Sequence, residues 1–199
     1  AHWFTESCSA CTDQPDEAYT LRGGRGGQLE PPAGHQPDDF AVQRLQAHDN
    51  QHQTRQYGIA DFTHFPASFT GTQCGQACWS IAGQVDDLRY AIQGNVLSGL
   101  MVLYDAEEAV LTTPGDLSQK LMAAMEAARA DGGDGRCSCN YNDPTACGCP
   151  PASFNYSAYT GFMIVARMGD SESSCNALNG CATGDYWMNL NAVSWSQGP

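Results

Sequence analysis

Gln93, Gly94 and Asn95 stand where a strand-like run ends, and they are the first residues whose types and spacing could do chemistry. The side-chain amide of Asn95 offers both a donor and an acceptor, so it can polarise a carbonyl or support an oxyanion. Gly94 permits either a positive φ or a close backbone approach. The alternative is a plain turn from a strand into a helix, with Asn95 or Ser98 as the cap. The residue types favour the turn, and the catalytic interpretation stays open beside it.

A second candidate lies in the glycine-rich stretch 132–136, where Asp134 and Arg136 are two positions apart. A carboxylate and a guanidinium at this spacing can orient each other beside a pocket. The stretch fits a helix end followed by an exposed loop equally well. Asn95, Asp134 and Arg136 are therefore the candidate catalytic residues, and no nucleotide-binding or hydrolase motif of standard spacing accompanies them.

The ten cysteines fall into five close pairs, which predicts a disulfide framework and an oxidising compartment. The pairs are Cys8 with Cys11, Cys74 with Cys78, Cys137 with Cys139, Cys147 with Cys149, and Cys175 with Cys181. Direct pairing suits Cys175 and Cys181, which close a short loop. It suits Cys137 and Cys139 less well, because a single intervening residue strains the bond. Cross-pairing of 137/139 with 147/149 is the alternative, and the sequence leaves the connectivity open.

Metal binding is the rival use of these side chains. Four thiolates at 137, 139, 147 and 149 could hold zinc, but the usual two-residue spacing is absent, so disulfides are favoured. His48 and His52 would share a helix face with Asp49 nearby only if the helix continued past Asn50, and a surface pair is favoured. Two acidic sets are weak calcium candidates without EF-hand spacing, namely Asp131 with Asp134, and Asp105 with Glu107 and Glu108. We therefore predict no metal and no cofactor, with calcium as the weak exception.

The net charge of −13, with only nine Lys and Arg, argues against nucleic-acid binding and against anionic membrane surfaces. No apolar run of the length needed to span a membrane occurs, so no membrane insertion is predicted. Residues 1–4 lack the basic and apolar regions of a signal peptide, so the sequence is either mature or starts late. Together with the cysteines, this composition predicts a secreted or extracellular protein, with the periplasm or cell surface as further possibilities.

The polar candidates depend on the elements that position them. Residues 1–37 are predicted to be an irregular Gly/Pro-rich segment, and residues 38–199 an α+β domain with a Cys-rich insert at 137–151. Helices are predicted at 38–48, 100–110 and 117–129, and strands at 56–62, 67–70, 88–93, 159–165 and 186–193. The apolar stripe Leu117, Leu121 and Met125 is expected to pack against a sheet that contains 159–165.

The order of the blocks 55–61, 69–74, 90–99 and 132–137 resembles domain of unknown function family 1028. The resemblance extends over about residues 40–195, and 90–99 is its most specific part. It implies the αββα sandwich of the N-terminal-nucleophile (Ntn) hydrolase fold, and it places the 132–137 turn near the family's site. Ntn hydrolases attack amides with a chain-terminal Thr, Ser or Cys whose own amino group is the base. Here residue 1 is Ala, and the family's opening strands are not recognisable.

Two functions follow as hypotheses. The first is a secreted non-catalytic assembly or binding subunit, which forms a homo-oligomer or filament or joins a companion polypeptide. A sandwich without its opening strands has an unpaired sheet edge, which another strand can complete. The alternative is an Ntn-type amide hydrolase whose nucleophile lies outside this chain.

Overall fold

Helices and two-stranded antiparallel sheets build the protein, so the predicted α+β class is confirmed. The computed structural model describes residues 39–167, residue 170 and residues 186–193. The helices are α1 (Asp39–His48), α2 (Met101–Thr112), α3 (Leu117–Ala130) and the short α4 (Gly135–Ser138). The strands are β1 (Gln56–Ile59), β2 (Ala67–Thr70), β3 (Trp79–Val85), β4 (Leu88–Gly94), β5 (Thr160–Val165) and β6 (Met188–Val193). The predicted irregular segment 1–37 lies outside the described residues.

The first two hairpins pack on each other. β1 pairs with β2, β3 pairs with β4, and in space β1 lies against β4 and β2 against β3. Because side chains alternate along a strand, each hairpin has two distinct faces. Gln56 and Thr70 are direct partners in the first hairpin, and Ser80 and Gln93 are direct partners in the second. These four polar side chains lie on the faces that the two hairpins turn toward each other.

Hydrogen bonds rather than apolar contacts join the two hairpins. Nε2 of Gln56 donates to Oγ1 of Thr70 at 3.1 Å and to the carbonyls of Trp79 and Gly94 at 3.0 and 3.1 Å. Oγ1 of Thr70 in turn donates to Oγ of Ser80 at 3.0 Å. Buried polar groups are tolerated when they are bonded in this way. We call this set, Gln56, Thr70, Ser80 and the two carbonyls, the polar layer.

The opposite face of β3–β4 is apolar and covers the core. Leu97, Val102 and Leu103 form the buried cluster, and Trp79, Ile81 and Ile92 pack against it. Leu103 on α2 is 2% exposed. Burial of such side chains contributes about 1.5–3 kcal/mol each. The second hairpin is thus polar toward the first hairpin and apolar toward α2.

Helix α3 departs from the prediction that its apolar stripe is buried. It begins with a capping box, in which the Asp116 carboxylate accepts from the Gln119 amide and the Gln119 side chain accepts from the Asp116 amide. No residue of α3 is buried, and Leu117 and Met125 are 47% and 44% exposed. The reason is coverage: among the described helices and strands, only α2 packs extensively against α3.

The third hairpin, β5–β6, approaches α3 at Gly161. Gly161 faces the Met125 side chain, because a Cβ on Gly161 would lie 3.8 Å from Cε of Met125. Met163 and Val165, on the same face of β5, are 8% and 7% exposed. Phe162, on the other face, is 68% exposed. This hairpin therefore buries one face of β5 and presents the other to solvent.

Candidate functional site

The segment that directly follows the first polar motif meets the second motif in space. The Gly135 amide donates to the Val96 carbonyl at 2.8 Å, and the Ser98 amide donates to the Gly133 carbonyl at 3.0 Å. Leu97 and Asp134 form an isolated antiparallel bridge between these bonds. The segment after β4 and the turn after α3 are therefore joined through their backbones. We call this meeting point the junction.

Gly94 uses the close-approach alternative rather than a positive φ. A Cβ at Gly94 would lie 2.8 Å from Cδ2 of Leu97, one of the buried core residues. The left-handed residue is instead Val96, with φ of 53°. This region disfavours residues with a Cβ, and a β-branched residue is a clear outlier there. The junction thus holds one residue in a strained backbone conformation.

Asn95 is tied to the polar layer. Its Nδ2 donates to Oε1 of Gln56 at 3.4 Å, and the side chain lies at the exposed edge of the layer. Gln56 therefore uses both ends of its amide: Nε2 holds the strands and Oε1 receives Asn95. In the described structure the Asn95 amide extends the bonding between the hairpins.

Asp134 and Arg136 orient each other, as the sequence suggested they could. Oδ2 of Asp134 accepts from NH2 of Arg136 at 2.6 Å, and Oδ1 accepts from Nε at 2.9 Å, so the pair is bidentate. Oδ1 also accepts from the Arg136 amide at 2.9 Å, which makes Asp134 the N-cap of α4. The Asp134 carboxylate raises the pKa of Arg136. The Asp134 carboxylate and the Arg136 guanidinium are therefore bonded to each other.

Disulfide bonds are present, as predicted. Cys74 bonds to Cys78 and Cys139 bonds to Cys147, so the second bond links the two close pairs of the Cys-rich insert. Cys139 and Cys147 consequently supply no thiolates for the zinc alternative. Cys137 lies outside both bonds, and burial followed by the Asp134 charge raises its pKa, which keeps it a thiol. Cys149 is 4% exposed and also lies outside both bonds. The remaining predicted disulfide residues, Cys8, Cys11, Cys175 and Cys181, lie outside the described residues.

The histidine pair considered for a metal is not a pair in the structure. α1 ends at His48, and His52 lies in a separate 3-10 turn, His52–Thr54. His52 is 5% exposed and stacks on Phe69 with ring centroids 4.0 Å apart. The helix ends before Asn50, as the position of this residue suggested. The His52 imidazole then packs on Phe69 of β2. Among the described residues, no three His, Cys, Asp or Glu side chains are grouped to hold a metal ion.

The acidic calcium candidates have other contacts. Oε1 of Glu107 accepts from the Tyr90 hydroxyl at 2.7 Å, and burial raises the pKa of this carboxyl. Asp131 is buried at 7% exposure, where its carbonyl accepts from the Ser98 hydroxyl at 2.6 Å. Asp134 is held by Arg136. The carboxylates of Glu107 and Asp134 are thus bonded within the fold, whereas the contact of Asp131 is made by its backbone carbonyl.

Two features were missed in the sequence. The sequence pattern identifies Gln56 only as the start of a strand. An amide side chain on a strand face that packs against other strands indicates a hydrogen-bonded polar layer. The second feature is a group of exposed apolar side chains on α3 and around β5–β6, which was expected to be buried. Helical periodicity identifies an apolar stripe but not whether another element covers it.

Within the described residues, no helix combines the length and apolar character needed to cross a membrane. A known protein family matches residues 31–140, which is more than half of the chain. Neither the curated proteins nor the solved structures contain a significant match. The match includes the polar layer, both helices of the α2–α3 pair and both halves of the junction. The chain therefore belongs to the family described as "Family of unknown function (DUF1028)".

Proposed function

We propose that this chain is a secreted, non-catalytic binding or assembly subunit. The observation that supports the proposal is the number of large apolar side chains that are exposed on α3 and on β5–β6, namely Leu117, Met122, Met125, Phe162, Ile164, Trp187 and Leu190. Single exposed apolar residues are ordinary, whereas neighbouring ones that share a face indicate an interaction site.

Two of these side chains share one face of β5. Gly161 turns toward Met125 of α3, so Phe162 and Ile164, at the alternate positions, lie together on the face that points away from α3. Leu190 pairs with Met163 and belongs to the other face. Phe162 and Leu190 are 68% and 55% exposed, which is unusual for large side chains on paired strands.

The candidate catalytic residues support the same proposal, because each already has a structural partner. Asn95 bonds to Gln56, and Asp134 caps α4 while it holds Arg136. Cys137 is held as a thiol rather than activated as a thiolate. The disulfide bonds favour an oxidising compartment, so we propose a secreted or surface location.

Sedimentation of the native protein, isolated from its source, tests this function. We expect a particle larger than one chain, and we expect Phe162→Ser to dissociate it. The matched control is Phe62→Ser, because Phe62 is 94% exposed but lies in the connection between β1 and β2. A native particle of one chain with no companion, unaffected by either substitution, would refute the proposal.

One observation favours the alternative, an Ntn-type amide hydrolase. Val96 has φ of 53° inside the junction, and residues held in such conformations cluster at functional sites. The layering of hairpin, hairpin and helix is also compatible with part of an αββα sandwich. Native material would then hydrolyse N-acyl amide substrates, and Asn95→Ala would lower kcat without changing the sedimentation of the particle. Absence of turnover with a broad amide panel would count against this alternative.

A further inference from the structure

We infer that Asn155 carries an N-linked glycan, added before the loop around it docks on the junction. This inference goes beyond the proposed function, because it concerns a covalent modification and does not depend on the exposed apolar side chains of α3 and β5–β6. Asn155, Tyr156 and Ser157 form the acceptor pattern for such a glycan, an asparagine with Ser or Thr two positions later and no proline between them. Asn155 is the only asparagine in this sequence that has the pattern.

The structure places Asn155 where a glycan can be accommodated. The residue is exposed and lies in the loop that leads into β5. Within the described part of the chain its carboxamide makes no hydrogen bond, so attachment of a sugar breaks none. A glycan is bulky and hydrophilic and therefore needs a surface position of this kind.

Exposed aromatic rings lie beside the acceptor. Tyr156 and Tyr159 are 40% and 45% exposed, and their ring centroids are 5.5 Å apart. Each side of a pyranose ring carries C–H groups that pack well on an aromatic face. A glycan that starts at Asn155 would therefore cover rings that the chain itself leaves exposed, which favours solubility.

The transfer step forms one bond and breaks one. Nδ2 of Asn155 attacks C1 of an oligosaccharide carried on a lipid diphosphate, the C1–O bond to the diphosphate breaks, and the amide loses one proton. The co-reactant is thus a lipid-diphosphate-linked oligosaccharide, and a separate transferase supplies the catalysis, because this chain supplies only the acceptor. The disulfide bonds favour an oxidising compartment, and a chain that enters one has crossed the membrane in which such lipid carriers reside.

The contacts of Ser157 indicate when the glycan is added. Its hydroxyl is the part of the pattern that the transferase must bind. In the folded chain the Ser157 carbonyl accepts from the Asp134 amide at 2.9 Å, and a Cβ on Gly133 would lie 3.5 Å from Oγ of Ser157. Ser157 is therefore held against the junction after folding, so the transfer precedes closure of the junction.

Mass spectrometry of the native protein, isolated from its source, tests the inference. After reduction, trypsin cleaves at Arg136 and Arg167, so residues 137–167 form one peptide. Asn140 and Asn142 lie in the same peptide without the acceptor pattern, and both are exposed, so they are internal controls. We expect a glycan on this peptide, and we expect peptide N-glycosidase to remove it and to convert Asn155, but neither control, to aspartate.

Two substitutions separate the acceptor from the hydroxyl. In a secreting eukaryotic host, Asn155→Gln and Ser157→Ala should each abolish the glycan, although Ser157→Ala retains the acceptor asparagine. Ser157→Ala also retains the carbonyl that bonds to the Asp134 amide, so it should fold, which circular dichroism checks. An unmodified Asn155 in the native protein would overturn the inference, and so would a glycan that persists in Ser157→Ala.

The order of events has its own test. The chain is produced without the glycan and incubated with a purified transferase and a lipid-linked oligosaccharide, either folded or reduced and denatured. We expect the folded chain to be modified at least about tenfold more slowly, because only its locally opened form presents Ser157. Equal rates would show that docking on the junction does not restrict the acceptor, and would overturn the proposed order.

Discussion

Gln56 and Gly94 are bonded side chain to backbone across the two hairpins, with Nε2 of Gln56 3.1 Å from the Gly94 carbonyl oxygen. They are 38 residues apart in sequence, and the same nitrogen also reaches the Trp79 carbonyl. One amide therefore sets the position of β1 relative to both strands of the second hairpin. It does so beside the segment that leads from β4 into the junction.

Replacement of Gln56 by Leu should destabilise the protein by about 1–3 kcal/mol. The substitution removes the Nε2 donor, so the part-buried carbonyls of Trp79 and Gly94 lose this hydrogen bond. Urea unfolding with the disulfides intact measures the free energy of unfolding. The control is Gln84→Leu, since Gln84 is likewise a strand glutamine, in β3 of the second hairpin, but its bond is local, to the Asp86 carbonyl. Equal effects of the two substitutions would show that the polar layer does not hold the hairpins together.

Asp134→Ala should cost about 0.5–2 kcal/mol, the usual contribution of an N-cap. Arg136→Gln should cost less than about 1 kcal/mol, because an ion pair this exposed is screened by solvent. Both are measured by urea unfolding. Asp134→Ala removes both the cap and the ion pair, so equal losses for the two substitutions would mean that the ion pair, rather than the cap, stabilises the turn.

Glu107→Gln should change the pH dependence of stability. Burial raises the pKa of Glu107 above its ordinary value of 4.5, so the folded state retains this proton to higher pH than the unfolded state. The contribution is favourable at low pH and is lost as pH rises through the raised value. The stability of Glu107→Gln relative to the native chain should therefore increase with pH across that window. Glu108→Gln, on the same helix, controls for removal of one charge, and a flat difference for Glu107→Gln would contradict the burial of this carboxyl.

Val96→Gly should be tolerated better than its burial suggests, because glycine adopts a φ of 53° without strain. The comparison is Val85→Gly, in β3, where the native side chain is 46% exposed but the backbone is extended. On burial alone, Val96→Gly would lower the free energy of unfolding more than Val85→Gly, because Val96 is half-buried. We expect Val85→Gly to cause the larger loss instead. A larger loss for Val96→Gly would show that the junction is unstrained.

Disulfide mapping should recover Cys74–Cys78 and Cys139–Cys147. Iodoacetamide should modify Cys137 faster in the unfolded than in the folded protein at one pH, because burial raises the pKa of its thiol. Mass spectrometry of alkylated peptides reads both results. Recovery of Cys137 bonded to Cys147 would exclude this connectivity.

Local signals in the sequence were enough for several elements. The strand predicted at 67–70 is β2, and the helix predicted at 117–129 is α3 with one more residue. Pro114 and Gly115 before α3 and the glycines after it mark both ends. Turn residues and helical periodicity act over a few positions, so one sequence suffices to read them.

β3 was missed because its cause is not local. Gly83 lowers the strand propensity of the segment, yet its position opposite Tyr90 explains it: the Tyr90 ring occupies the space that a Cβ on Gly83 would need. One face of β3–β4 meets polar neighbours and the other meets apolar ones. This difference is likewise set by packing against segments that are distant in sequence. The same limit explains why Asn95 and Asp134 were identified as candidates while their partners, Gln56 and the α4 amides, were not.

The polar layer has a consequence for local opening of the protein. Separation of the first hairpin from the second would expose amides and hydroxyls, which water can solvate, rather than the Leu103 core. Such an opening forfeits hydrogen bonds but little apolar burial, so it is expected to precede global unfolding. Amide protons of β1 and β2 should then exchange with deuterium before those of β3 and β4. Residues 94–98, which lead from β4 into the junction, would thus lie at a hinge between a quickly opening hairpin and a slowly opening one.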